Sequence, residues 1–179
     1  RTGLLAALEA AAAETGLAGV VLCGAGGNFM AGSDLREFGA PLGEPQLPAV
    51  IRAVEALPVP VVAAIDGAAL GGGYELALGC DGRVAAPDAV VGLPEVGLGL
   101  VPGAGGTQRL PRLAGLPQAM QLICSARRVP AREAVSLGMV DAVDEGDLRK
   151  AAAELARKLG GKRPVADLPT PPTPEDELE

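Results

Sequence analysis

Residues 61–79 (VVAAIDGAALGGGYELALG) constrain the fold of this chain more than any other stretch. The β-branched run at residues 61–65 predicts a buried strand, and the Asp-Gly pair after it predicts a turn. Three consecutive glycines, residues 71–73, lead into a segment of helical composition. This order predicts a strand that turns into a helix whose first amide groups carry no obstructing side chain.

The glycine-rich helix start is a candidate site for chemistry on an oxygen that gains negative charge. The first N–H groups of a helix have no intrahelical partner, and the helix dipole attracts anions to them. Glu75 follows among apolar residues. Amide donors beside a carboxylate suit a reaction in which a carbonyl oxygen gains charge while a proton moves. This stretch alone leaves open an alternative, a glycine-rich turn with an exposed Glu75.

Composition excludes several classes of protein. The 179 residues suffice for one domain, and with 49% hydrophobic but 2% aromatic residues its core must consist of Leu, Val, Ala and Ile. The net charge of −7, without an aromatic-rich basic patch, argues against nucleic acid as a partner. No apolar run approaches the roughly 20 residues of a membrane span, and the start does not resemble a signal peptide. We therefore expect neither nucleic acid nor membrane as a partner.

The titratable and nucleophilic residues narrow the chemistry further. Histidine is absent, which excludes Ser-His-Asp and Cys-His nucleophiles and the common His-based zinc sites. The cysteines, Cys23, Cys80 and Cys124, form no C-x-x-C pair and lie among apolar residues. We expect them to be buried, reduced thiols, with no metal site, in a cytoplasmic protein.

The rest of the chain predicts alternating strands and helices. Predicted helices include one that Thr2 caps, a short one at the Asp34 capping box, and others at residues 47–57, near Gly105, near Pro117, at 130–137 and at 147–159. Further strands are predicted at residues 19–23, 83–86, 89–91 and 139–143. The order indicates an α/β layered fold. We predict a domain over residues 1–160 and a proline- and acid-rich linker or disordered tail over residues 161–179.

Two glycine-rich segments resemble nucleotide-binding loops, but neither completes the pattern. Residues 24–27 open like a dinucleotide fingerprint, yet Phe29 occupies the third glycine position and no clear helix follows at once. Residues 103–107 are not followed by the lysine that a phosphate-binding loop requires. Both segments are therefore disfavoured as nucleotide sites.

Three motifs in this order resemble the enoyl-CoA hydratase/isomerase (crotonase) superfamily. They are residues 29–35 (FMAGSDL), residues 71–76 (GGGYEL), and residues 93–95 (LPE) followed by 102–110 (PGAGGTQRL). The similarity covers residues 20–143 and is greatest to the N-terminal part of bifunctional enzymes, in which a 3-hydroxyacyl-CoA dehydrogenase follows. The resemblance implies an α/β fold of layered sheets in a (ββα) spiral surrounded by helices. We expect the first strands and last helices of that fold to be missing.

The resemblance assigns roles to four residues. The backbone amides of Ser33 and Gly72 would form an oxyanion hole for a thioester oxygen, and Ser33 replaces the usual alanine at little expected cost because its amide is the donor. Glu75 would position and help deprotonate a water, and Glu95 would protonate the α-carbon. The implied substrate-binding residues are Ala31, Gly32, Ser33, Asp34, Leu35, Gly71, Gly72, Pro94 and Gly103.

These roles lead to two structural expectations. The carboxyl groups of Glu75 and Glu95 should face each other across one pocket, because both must reach one water. Burial should raise the pKa of Glu95. No site role is assigned to the arginines in and after the third motif, which are expected at the surface or in subunit contacts: Arg109, Arg112, Arg127 and Arg128.

The implied activity is hydration of trans-2-enoyl-CoA in fatty-acid β-oxidation. Coenzyme A would be part of the acyl-CoA thioester substrate, and no other cofactor is expected. The resemblance further implies a homotrimer or hexamer if the protein stands alone, or fusion to a dehydrogenase domain. The alternatives are a Δ3-Δ2-enoyl-CoA isomerase and a non-catalytic acyl-CoA-binding domain. A serine peptidase of the related fold is disfavoured because it would lack the histidine.

Overall fold

The computed structural model describes residues 1–32 and 43–173. The α-helices in these residues are α1 (Thr2–Ala13), α2 (Leu47–Ala56), α3 (Gly72–Leu78), α4 (Gly106–Ala114), α5 (Leu116–Cys124), α6 (Ala131–Ser136) and α7 (Leu148–Leu159). The strands are β1 (Val20–Cys23), β2 (Val61–Ile65), β3 (Ala68–Leu70), β4 (Gly82–Ala85), β5 (Val90–Gly92), β6 (Val129–Pro130) and β7 (Ala142–Val143). Short 3₁₀ helices span Glu95–Leu98 and Val165–Asp167.

The strands form two small sheets. The first has the order β1-β2-β4-β7 and is parallel throughout. The second has the order β3-β5-β6, with β3 and β5 parallel and β6 antiparallel to β5. Since β2 and β3 are separated only by Asp66 and Gly67, the chain passes from one sheet to the other in a single tight turn.

Strand β2 lies in the middle of the packing, and all five of its residues are buried. Val61, Ala63 and Ile65 join the larger core, which includes α2 and α3. Val62 and Ala64 face the other way and pack against α7. A strand covered on both faces reads as a continuous apolar run, which is why β2 could be predicted from its sequence.

Several predicted elements are confirmed, and others need correction. Helices α2 and α7 and strand β2 agree with their predicted ranges within about one residue. The first helix begins at Thr2 but its N-cap is Arg1, so Thr2 is not the capping residue. Strands β3 and β6 were not predicted, because two or three residues are too few to show a period. The predicted helix at Asp34 lies outside the described residues.

The cysteines do not share one environment. Cys80 is buried, and burial raises its thiol pKa to about 12, so it stays protonated. Cys23 and Cys124 are exposed, which corrects the expectation that all three are buried. Cys23 ends β1, an edge strand that is only partly covered, and Cys124 is the last residue of α5. Apolar neighbours in sequence therefore misled the prediction at these two positions.

The chain after α7 packs back onto the domain instead of leaving it at residue 160. Lys162 Nζ lies 2.6 Å from Asp81 Oδ2, and Arg163 N donates to Asp81 Oδ1 at 2.5 Å. Val165 is buried, and Arg112 donates to the Leu168 carbonyl. The first half of the predicted linker, up to Leu168, is thus in contact with the fold.

Candidate functional site

The site is built where β3 turns into α3. Gly71, the N-cap of α3, has φ +53° and ψ −128°, a conformation that favours glycine. Gly73 is required for a different reason, because a Cβ there would lie 1.9 Å from the Met30 carbonyl oxygen. The glycine run is therefore explained by backbone conformation and by the close approach of a second segment.

That second segment, residues 29–32, runs alongside β3. Met30 pairs with Ala69 in a parallel bridge, and Leu70 N donates to Met30 O at 3.1 Å. The Cα of Gly32 lies 4.0 Å from the position a Cβ would take at Gly71. Two of the three sequence motifs thus meet at the first turn of α3.

Within the described residues, the Gly72 amide has no hydrogen-bond acceptor. The neighbouring Gly71 N donates to Gly92 O at 2.9 Å, whereas no acceptor for Gly72 N is found among residues 1–32 and 43–173. This is the state that an oxyanion-hole donor requires. Its predicted companion, the Ser33 amide, lies outside the described residues, as do Asp34 and Leu35, so their site roles stay predictions.

Glu75 is buried, and backbone amides outside α3 hold its carboxyl group in place. Glu75 is only 3% exposed. Glu75 Oε1 accepts hydrogen bonds from Ala104 N at 2.7 Å and Gly106 N at 2.8 Å. The alternative of an exposed Glu75 is therefore wrong, and the loop before α4 fixes the direction of the carboxyl group.

Glu95 is the second carboxyl group at the start of α3. Its Oε1 lies 3.2 Å from the Cβ position that Gly71 would have. Its Oε2 is buried and has no hydrogen-bond partner among the residues that the structure describes. Burial raises the pKa of Glu95, a backbone hydrogen bond opposes this, and the charge of Glu75 raises the pKa further. An acid held in this way is suited to deliver a proton.

The structure therefore brings together Gly32, Gly71, Gly72, Glu75 and Glu95. The other described residues in the predicted set lie around them. Ala31 and Gly103 are exposed, and Pro94 is half-buried immediately before Glu95. The charge of Glu75 contributes to the raised pKa of Glu95, so the two carboxyl groups lie near each other, while their facing each other across one pocket stays a prediction.

Sequence reasoning missed the amides of Ala104 and Gly106 as part of the site. They reach Glu75 across about 30 positions of the chain. Gly106 is closely packed, because a Cβ there would lie 2.8 Å from Leu93 Cδ1 and 3.1 Å from Glu75 Oε1, so either side chain would have to shift. The glycine-rich run at residues 103–106 was a usable signal, since a buried carboxylate needs N–H donors.

Two of the cavities in the described part of the molecule are lined by neither Glu75 nor Glu95. The larger, of about 460 Å³, lies between residues 23–27 and the start of α7. The other, of about 340 Å³, is lined by Met30, Gly32 and Leu76 together with residues of α1 and α2. The second adjoins the candidate site through Gly32 and offers mainly apolar side chains.

Within residues 1–32 and 43–173 no group of three or more acidic, Cys or His side chains could hold a metal ion. The same residues contain no helix long and apolar enough to cross a membrane.

The sequence model of the enoyl-CoA hydratase/isomerase family matches residues 1–167. The chain belongs to the enoyl-CoA hydratase/isomerase family. This confirms the resemblance drawn from the three motifs, and the α/β fold is the crotonase fold of that family.

Particular relatives are similar over most of this chain. A protein named peroxisomal bifunctional enzyme from Danio rerio is 50% identical over 171 residues, which cover 93% of this chain and 24% of that protein. The Homo sapiens protein of the same name is 45% identical over 90% of this chain. The chain thus spans about a quarter of the length of these bifunctional relatives.

Solved structures give the same fold. The crystal structure of an enoyl-CoA hydratase from Bacillus anthracis is 44% identical, with a TM-score of 0.79. The match covers 88% of this chain and 64% of that one. An enoyl-CoA hydratase from Mycobacterium marinum is 40% identical, also with a TM-score of 0.79.

Proposed function

We propose that this protein hydrates trans-2-enoyl-CoA to 3-hydroxyacyl-CoA. The observation that carries the proposal is the position of two carboxyl groups, Glu75 and Glu95, at the start of α3, where Gly72 N has no acceptor among the described residues. Membership of the family and the names of its relatives supply the substrate class, an acyl-CoA thioester.

The residues divide the work of adding water. The amides of Gly72 and Ser33 donate hydrogen bonds to the thioester oxygen as it gains enolate charge, and one such donor is typically worth about 3 kcal/mol of barrier. Glu75 orients the water and takes one of its protons while the oxygen bonds to the β-carbon. Glu95 gives a proton to the α-carbon. Glu75 has then gained a proton and Glu95 has lost one, and proton exchange between them or with solvent restores the starting protonation state of each.

The cavity beside Gly32, whose lining also includes Arg1, Thr2 and Glu44, has an apolar side that suits the acyl chain. It is lined by Met30, Leu47 and Leu76, and it begins next to the backbone that would hold the thioester. Burial of an alkyl chain against such side chains is favourable by about 0.8 kcal/mol per CH₂. We propose that coenzyme A enters as part of the substrate and that no other cofactor takes part.

Two wider predictions accompany this function. Fusion to a dehydrogenase domain is proposed because bifunctional relatives match this chain over a quarter of their own length. Assembly as a trimer or hexamer is the alternative for a protein that stands alone. The cytoplasmic location stays a prediction, since those relatives are named as peroxisomal enzymes.

The test is turnover of crotonyl-CoA by the purified protein. We expect the ultraviolet absorbance of the conjugated thioester to fall while the product gains the mass of one water. A non-catalytic acyl-CoA-binding domain would bind crotonyl-CoA without changing it, and that result would contradict the proposal.

A second activity, isomerisation of 3-enoyl-CoA to 2-enoyl-CoA, is favoured by one observation. Glu95 has a raised pKa and a buried oxygen without a partner among the described residues, so a single group can remove and return a proton. Glu75→Gln separates the two activities, because hydration needs Glu75 to activate water and isomerisation does not. If Glu75→Gln abolishes both equally, the isomerase role of Glu95 alone is excluded.

A further inference from the structure

Arg109 and Glu55 form an ion pair beside the loop of residues 103–106, whose amides bind Glu75. Arg109, in α4, donates from Nε to Glu55 Oε1 of α2 at 2.9 Å, and its Nη2 lies 2.8 Å from the same oxygen. The two side chains are only 11% and 17% exposed. Their position is therefore fixed far better than that of an ordinary surface pair.

The same guanidinium also holds the loop that binds Glu75. Arg109 Nη1 donates to Ala104 O at 3.2 Å. That carbonyl belongs to the peptide unit between the two amides, Ala104 N and Gly106 N, that donate to Glu75 Oε1. A carbonyl drawn toward Arg109 leaves the flanking N–H groups pointing toward Glu75.

The intervening residue, Gly105, fits this arrangement. Its φ of +101° is a glycine conformation, and a Cβ there would lie 2.0 Å from Arg109 Nη1. The guanidinium thus packs directly on the loop backbone. The glycine at position 105 leaves the space in which the Arg109 guanidinium reaches the Ala104 carbonyl.

We propose that Arg109, anchored by Glu55, is a positioning residue for Glu75 and acts through the backbone of residues 104–106. This inference rests on the proposed function for its kinetic effect, but its structural part does not. A misplacement of about 1 Å at a catalytic group can cost about a hundredfold in rate, so a device that sets the direction of Glu75 matters to turnover.

The kinetic test is a double-mutant cycle. Arg109→Gln is expected to lower kcat for crotonyl-CoA hydration about tenfold or more, with KM changed less than about twofold. In a Glu75→Gln background the same change should cost little, because its effect passes through Glu75. Equal fractional losses in both backgrounds would mean that Arg109 only supports the fold, and would overturn the proposal.

Two further variants sharpen this test. Arg109→Lys can keep a single contact with Glu55 but cannot also hold Ala104 O, so its kcat should stay low while its thermal stability recovers. Arg112→Gln is the matched control, because Arg112 lies on the same helix and bonds a carbonyl, that of Leu168, without contact to Glu75. Its kcat should be close to native.

Hydrogen exchange tests the structural part without any turnover. In Arg109→Gln the amides of residues 104 and 106 should exchange faster than in the native protein, whereas Arg112→Gln should leave them unchanged. Unchanged exchange in Arg109→Gln would overturn the positioning role even if the native protein hydrates crotonyl-CoA. Absence of hydration by the native protein would instead reject the proposed function alone.

Discussion

The burial of the Glu95 carboxyl group is unfavourable for its charged form, and this favours its proposed role as a proton donor. Its Oε2 is buried without a donor among the described residues, and burial raises the pKa of the group. A buried polar atom without a partner costs free energy, and such costs concentrate at functional sites. The same carboxyl group is the proposed source of the α-carbon proton.

This leads to a prediction about stability and pH. The folded pKa of Glu95 is raised, so the stability from its protonated form is fully present below the usual pKa of 4.5 and is lost as pH rises through the folded pKa. Gln cannot ionise. Glu95→Gln should therefore unfold at a higher temperature than the native protein at neutral pH, with the difference shrinking below the usual pKa.

Thermal unfolding of both proteins across this pH range checks the prediction. Glu145→Gln is the control, since Glu145 is 73% exposed in its pair with Arg132 and should show no such pH-dependent gain. A Glu95→Gln difference that is constant with pH would show that the charge of Glu95 is not its cause.

At the scale of elements, the turn from β3 into α3 depends on a close approach to residues 29–32. A side chain at position 73 would overlap the Met30 backbone, with its Cβ 1.9 Å from O and 2.7 Å from C. Backbone atoms cannot move aside as a flexible side chain can. The turn and the neighbouring segment therefore form one unit, which also sets the Gly72 amide.

Gly73→Ala is expected to destabilise the protein by about 2 kcal/mol or more, because overpacking of this kind forces the backbone apart. The midpoint of urea unfolding measures the effect. Gly3→Ala in α1 is the matched control, since nothing lies within 4 Å of its Cβ position, and its midpoint should be unchanged or slightly higher. Equal midpoints for the two variants would show that segments 29–32 and 71–73 are not tightly packed.

Some helices and strands could be predicted from the sequence, and others depend on contacts that are distant along the chain. Strand β2 and helices α2 and α7 could be predicted because their apolar patterns are local and long enough to show a period. Strands β3 and β6 depend on pairing with β5, which no local pattern reveals. Glu75 and Glu95 could be singled out as acids in apolar stretches, but the hydrogen bonds that orient Glu75 come from a distant loop.

At the scale of the whole molecule, a buried carboxylate joins the chain after α7 to the parallel sheet. Asp81 is fully buried and accepts hydrogen bonds from Val61 N, Lys162 Nζ and Arg163 N. Val61 begins β2, and Asp81 immediately precedes β4. Composition alone predicted a linker here because it does not reveal that one lysine finds a buried partner.

Lys162→Met should destabilise the protein by about 3 kcal/mol, since it leaves the buried Asp81 carboxylate without its cation. Urea unfolding measures this, with Lys158→Met, an exposed position in the last turn of α7, as the control. If Lys162→Met unfolds at the native midpoint, the pair between Lys162 and Asp81 does not stabilise the fold.

In the proposed mechanism, Glu75 and Glu95 act together on one substrate. The most direct test is the rate of crotonyl-CoA hydration by the native protein, Glu75→Gln, Glu95→Gln and the double variant, each first shown to be folded. We predict that each single change lowers the rate at least about a hundredfold, and that the double variant loses little more than the worse single one. Near-native turnover in either single variant, or losses that multiply in the double variant, would contradict this mechanism.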